Sequence, residues 1–174
     1  MRALVLTVPV LLVAGVMVTS LVLVREPVPD ADTVRLRVAA VPTPAAASAD
    51  CSRLLSGLPG EMRTAQGTML PRRVLADPAP PATVAWGGED GTGRAAAPVV
   101  MRCGLPRPAE LSSGGSLLVV DDVDWVEVDD GDPGSTTWVT TDRAVHVGLT
   151  VPDGVGDAPI EDISRGVKIA LVSR

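Results

Sequence analysis

Hydrophobic and polar positions divide the chain into three parts. From Ala3 to Val24 the run carries no charge and is broken only by Thr7, Pro9, Thr19 and Ser20. As a helix rising about 1.5 Å per residue it would span roughly 30 Å, the hydrocarbon thickness of a bilayer, and proline is tolerated in such helices. Residues 1–25 are therefore expected to form a transmembrane anchor, with the membrane as a partner through residues 3–24. A cleaved signal peptide is the competing reading, since Val18-Thr19-Ser20 is small enough for a cleavage site, but the apolar run continues past the usual ~7–15-residue core. No cysteine follows it, which disfavours a lipoprotein anchor. Arg2 gives a weak positive-inside cue, which puts a single-pass protein in the cell membrane with its C-terminal domain extracytoplasmic.

Residues 26–49, rich in Pro, Ala and Asp, read as a linker. Within them Thr33 to Val38 alternates polar and apolar, which suits either a short strand added at a sheet edge or an extended linker. Residues 50–174 then read as an α+β domain. Cys51, Leu54, Leu55 and Leu58 follow the i, i+3, i+4, i+7 spacing of a one-faced helix over Asp50–Leu58, capped by Ser48 or Asp50 and ended by Pro59-Gly60. Glu61 to Pro81 reads as loop, with a short extended piece at Val74-Leu75.

Period-two alternation marks the strand candidates that follow. Val84 and Trp86 share a face in Ala82–Gly87. Val99, Met101 and Cys103 share one in Pro98–Cys103, with Val100 and Arg102 on the other. Ser116–Val128 is long enough for two short strands or one bent strand. Asp129 to Gly134 is a turn by chemistry, and Ser135–Thr141 pairs back. In Arg143–Val151 the residues Val145, Val147, Leu149 and Val151 line one face. A last helix runs from Ala158 to about Val172, with Asp157 as cap, Pro159 in its first turn and an apolar stripe of Ile160, Ile163, Val167, Ala170 and Leu171. The economical arrangement is an antiparallel sheet of four to five strands packed on one face by two helices.

Charge and composition remove several classes of function. Net charge is −6 and the sequence pI about 4.7, which argues against nucleic acid as a partner. There is no Phe or Tyr, so the three tryptophans, Trp86, Trp125 and Trp138, are the only large aromatic units. The two cysteines, Cys51 and Cys103, both fall on expected core faces. Outside the cytosol they are expected to form a disulfide; two separate buried thiols, or a catalytic thiol at Cys103 with His146 as base, are the alternatives.

No motif assigns an activity. A zinc site of Cys51, Cys103, His146 and a carboxylate lacks the usual short ligand spacings. The seven acids of Asp121–Asp132 do not follow a calcium-loop pattern. Gly87 to Arg94 lacks the Lys-Ser/Thr ending of a phosphate loop. No cofactor and no catalytic residue is expected. Trp86, Arg102, Trp125, Trp138 and Arg143 could line a groove for a sugar, a peptide or an anion; alternatively the tryptophans fill the core and the arginines pair with acids. A carboxylate pair such as Asp124 and Glu127 could serve an enzyme.

Several segments occur in a telling order. A hydrophobic N-terminus precedes Cys51 and its Leu-Leu-x-x-Leu-Pro helix. Ala85-Trp86-Gly87, Val100-Met101-Arg102-Cys103-Gly104, Val123-Asp124-Trp125, Trp138 and Arg143-Ala144-Val145-His146-Val147 follow. From Cys51 to about Val151 the chain resembles the actinobacterial family called domain of unknown function 3515. In that family the Trp-Gly and Arg-Cys-Gly segments lie closer together, so Gly88–Ala97 reads as an insertion, which counts against a binding role for it. The resemblance implies a membrane-anchored envelope protein and supplies no activity. The expected function is a non-enzymatic module that binds an envelope protein or cell-wall ligand. The alternatives are a carboxylate-dependent envelope hydrolase or transferase, and a scaffold acting through its membrane helix.

Overall fold

In the computed structural model, residues 35–89 and 95–174 are described. Among them the chain forms helix α1 (Ala49–Gly57), strands β1 (Glu61–Arg63), β2 (Met69–Pro71), β3 (Thr83–Glu89) and β4 (Ala95–Leu105), a short helix α2 (Glu110–Ser113), strands β5 (Leu117–Val120), β6 (Val123–Val128), β7 (Ser135–Thr140) and β8 (His146–Pro152), and helix α3 (Ala158–Ala170). The main sheet has six antiparallel strands in the order β3-β4-β8-β7-β6-β5, and β1 and β2 form a separate two-stranded hairpin. The domain is α+β, as the alternation of patterns implies.

No helix among the described residues is long and apolar enough to cross a membrane. The transmembrane helix, the membrane as partner and the single-pass extracytoplasmic location are therefore without support in the structure. The segment that suggests them, residues 1–25, lies outside the described residues. The sheet also exceeds the expected four to five strands. Ser116–Val128 is two strands, because Asp121 and Asp122 both adopt positive φ (50° and 61°) and turn the chain in two residues, the geometry of a tight hairpin turn. The region expected to be loop at 61–71 contains the β1–β2 hairpin, whose three-residue strands bury only Met62 and Leu70. The loop expected over 88–97 narrows because β3 and β4 pair as far as Glu89 opposite Ala95, past a bulge after Gly87.

One face of the sheet, the inner face, carries the core. Val84, Trp86, Val99, Met101, Cys103, Val123, Trp125, Val147 and Leu149 pack there against Cys51 and Leu54 of α1 and Ile160, Ile163 and Val167 of α3. Ser48 caps α1 by accepting from the Cys51 amide at 3.2 Å. Cys51 and Cys103 are joined as a disulfide, and both are fully buried. The bond ties α1 to β4 across a separation of 52 residues. Two tryptophans find partners for their indole N–H groups within this layer: Trp86 donates to the Pro59 carbonyl and Trp125 to the Ser164 hydroxyl, each at 3.0 Å. Such partners remove the cost of burying a polar N–H.

The outer face is covered in part, mainly by non-helical chain, while Leu117 and Val119 of β5 on the same face stay exposed. Residues 35–46 cross it as a strap. The Leu36 amide donates to Val74 O at 2.9 Å and Ala76 donates to Leu36 O at 2.8 Å at one end; Ala45 donates to Gly104 O at 3.1 Å at the other. On the far side the segment from Leu105 to α2 folds back over the sheet. Ala85, Val100, Val126 and Val139, all on this face, are buried as a result.

Candidate functional site

The end of β4 sets the geometry of the outer face. Alternation sends Cys103 inward to the disulfide and Arg102 outward. The ladder between β4 and β8 slips by one residue between Cys103 and Leu105, and Gly104 sits in the slip at φ +90°, where a side chain is strained. A Cβ there would lie 2.4 Å from the Ala46 nitrogen, so the glycine also lets the strap approach. The slip delivers Leu105 onto the outer face, where its Cδ1 occupies the space above Gly148, 2.4 Å from where a Cβ on that glycine would be. Arg102, Cys103 and Gly104 thus do three separate things: one faces out, one locks the core, and one bends the strand against the strap.

Between the strap and the Leu105–Glu110 segment lies a groove of about 540 Å³. Its floor is built from alternate residues of the sheet. Arg102 pairs with Gly148 and Gly148 with Val139, and Thr150 pairs with Thr137, which pairs with Val128. Ala39 and Val41 of the strap form one wall; Leu105, Pro106 and Pro108 form the other. The lining is mostly apolar; a row of polar groups crosses its floor, and Arg107, Glu110 and Asp132 also line it.

That row is directional. Arg102 Nη1 donates to Thr150 Oγ1 at 3.4 Å, Thr150 and Thr137 hydroxyls lie 2.8 Å apart, and Thr137 donates to Asp130 Oδ2. A threonine has one O–H, and that of Thr137 is committed to the carboxylate, so Thr150 must donate to Thr137. The chain runs from a cation on β4 to an anion on the loop after β6. Burial pushes the Arg102 guanidinium below its ordinary value, opposed by the Asp130 charge, yet an arginine remains charged. Among the described residues its Nη2 reaches only Ala39 O, at 3.4 Å, and its buried Nε has no hydrogen-bond partner.

The five residues expected to share a groove do not share a surface. Trp86 and Trp125 are fully buried on the inner face. Trp138, half-buried, also faces inward, beside a small cavity of about 210 Å³ with Asp153 and Asp157. Arg143 is 3% exposed; it pairs with Asp142 and donates to the Asp122 carbonyl at 2.7 Å, holding the β5–β6 turn. Only Arg102 reaches the groove. Sequence reasoning misses the groove's remaining lining, because Leu105, Gly148, Thr137 and Thr150 come together only through pairing across three strands.

The catalytic alternatives lose their geometry. Both sulfurs are in the disulfide, so Cys103 offers no thiolate. His146 Nδ1 lies 2.7 Å from Thr140 O. Asp124 and Glu127 occupy opposite faces of β6 and cannot act as a facing pair. Among the described residues no three His, Cys, Asp or Glu side chains are placed to hold a metal ion.

Residues 6–174 match the family described as Protein of unknown function (DUF3515). The chain belongs to that family. Membership of DUF3515 carries neither the membrane anchoring nor the actinobacterial source that the resemblance implied, and it carries no activity. The readings of an anchored envelope module and of a scaffold working through a membrane helix lose their basis with the absence of a spanning helix among the described residues. Neither a curated protein nor a solved structure matches the DUF3515 chain.

Proposed function

We propose that the domain is a non-catalytic binding module for a small molecule with an extended apolar body, held in the outer-face groove. The observation that carries this reading is the groove itself. A predominantly apolar trough of about 540 Å³ lies open on a sheet face where Ala85, Val100, Val126 and Val139 are buried. That volume falls in the range of small-molecule sites, roughly 300–1,000 Å³, and a few polar groups in an apolar lining are their usual composition. The floor is rigid because it is the centre of a six-stranded sheet, backed by the disulfide-linked core. The walls are two segments of chain fixed at their ends, an arrangement that admits ligands of more than one width.

The reading is tested with anilinonaphthalene sulfonate, whose fluorescence rises on entering an apolar site. The full chain should bind it saturably. Val128→Trp, which fills the end of the groove beside Thr137, should abolish the saturable signal while leaving the thermal midpoint near that of the parent. Equal binding by parent and Val128→Trp would refute the assignment.

A further inference from the structure

Resting on the groove reading, a second step concerns the head group of what the groove holds. The guanidinium of Arg102 presents two edges. The Nη1 side is engaged by Thr150. The Nε–Nη2 edge, the one that binds carboxylates side-on with two parallel hydrogen bonds, has among the described residues a single 3.4 Å contact to the strap carbonyl of Ala39 and nothing at Nε. A buried donor left without an acceptor is costly, and here it is aimed beneath a strap whose hydrogen bonds lie mainly at its two ends, at Leu36 and Ala45.

We propose that the groove binds a linear monocarboxylate, an alkyl chain between the apolar walls and the Gly148–Val139 part of the floor with its carboxylate on the Nε–Nη2 edge of Arg102, where it displaces the Ala39 carbonyl. One long contact is exchanged for two charge-assisted bonds, and the orphaned Nε gains its acceptor. The head is a monoanion rather than a phosphate dianion because Asp130, Asp132 and Glu110 line the same groove, and a second negative charge would meet them. Arg107, the other cation of the lining, is exposed on the wall, where water competes for it. The Thr150–Thr137–Asp130 chain orients the guanidinium from behind and leaves the strap-facing edge for the ligand.

The test titrates the full chain with sodium octanoate, 1-octanol and octyl phosphate by calorimetry. Octanoate is expected to bind about ten- to a hundredfold more tightly than octanol, the span of a charged hydrogen bond made or lost, and more tightly than octyl phosphate. Arg102→Met should bind octanoate and octanol alike, at the parent's octanol level. In the parent protein the Nε–H proton resonance of Arg102 should move downfield with octanoate and stay put with octanol, a readout that needs no variant. Equal binding of octanoate and octanol by the parent would overturn the head-group assignment and leave the groove reading standing. Preference for octyl phosphate would overturn the monoanion. Preference for octanoate retained by Arg102→Met would overturn Arg102 as its receptor. If none of the three compounds titrates, both the head-group assignment and the groove reading fall.

Discussion

Replacing Gly104 by alanine isolates the junction on which the outer face depends. Two costs arise, and a second glycine separates them. Gly154 has φ +81° and nothing within 4 Å of where a Cβ would stand, whereas Gly104 has φ +90° and the Ala46 nitrogen at 2.4 Å and the Ala45 carbonyl carbon at 2.5 Å. Gly154→Ala therefore adds only the left-handed backbone penalty, about 1–2 kcal/mol. Gly104→Ala adds the same penalty and a collision with backbone, which cannot rotate away as a side-chain end would. The strap must lift, and the Ala45-to-Gly104 hydrogen bond, worth about 1 kcal/mol net, goes with it. A loss of about 3 kcal/mol is expected for Gly104→Ala against about 1–2 for Gly154→Ala, measured as the free energy of urea unfolding from matched denaturation curves. Lifting the strap also removes one wall of the groove, so Gly104→Ala should weaken anilinonaphthalene sulfonate binding and Gly154→Ala should not. Equal destabilisation by the two substitutions would refute the packing of the strap against Gly104.

Three further outcomes are expected. Replacing both Cys51 and Cys103 by alanine releases a crosslink across 52 residues, which in the chain-entropy picture costs about 4 kcal/mol; unchanged urea midpoints for the double variant would contradict it. Ser164→Ala leaves the buried Trp125 N–H without its acceptor and should cost about 1–3 kcal/mol, read by urea unfolding, with Ser164→Thr retaining part of the stability. On the surface, Lys168 donates to Asp122 at 2.6 Å, which holds the Asp122 carboxyl below and the Lys168 ammonium above their ordinary values. The Asp122 contribution is present above its unfolded-state value and lost as pH falls through the folded one; that of Lys168 is present below its unfolded-state value and lost as pH rises through the folded one. Lys168→Met should therefore flatten the stability–pH profile on both its acid and alkaline limbs, and salt should shrink the difference from the parent.

The elements legible in the sequence are those with enough residues to show a period. Val145, Val147, Leu149 and Val151 alternate strictly in and just before β8, although the strand itself starts at His146 and Arg143 bridges to Ser173 instead. α1 and α3 declare themselves by apolar spacing and by their flanking Ser48 and Pro159. The β1–β2 hairpin is hidden because two buried residues make no period. The turn at Asp121-Asp122 is hidden because it lacks the glycine that usually signals positive φ. Arg102 can be singled out from sequence because it lies out of phase with Cys103 on one strand. Its groove cannot, since the floor depends on the register of β4, β8, β7 and β6 and on a bulge that moves Leu105 over Gly148. Trp86 and Trp125 are ambiguous in sequence for a different reason: an indole serves a core or a binding surface equally well, and the Pro59 and Ser164 acceptors that decide for the core are remote along the chain.

The most direct test of the groove as the binding site is amide shift mapping of the full chain during titration with anilinonaphthalene sulfonate. The groove assignment requires the largest saturable changes at Val128, Val139, Gly148 and Thr150, with the strap at Ala39 to Val41 responding in step. Changes centred instead on Thr136, Trp138 and Asp157, around the small inner-face cavity, or no saturable change at all, would contradict it.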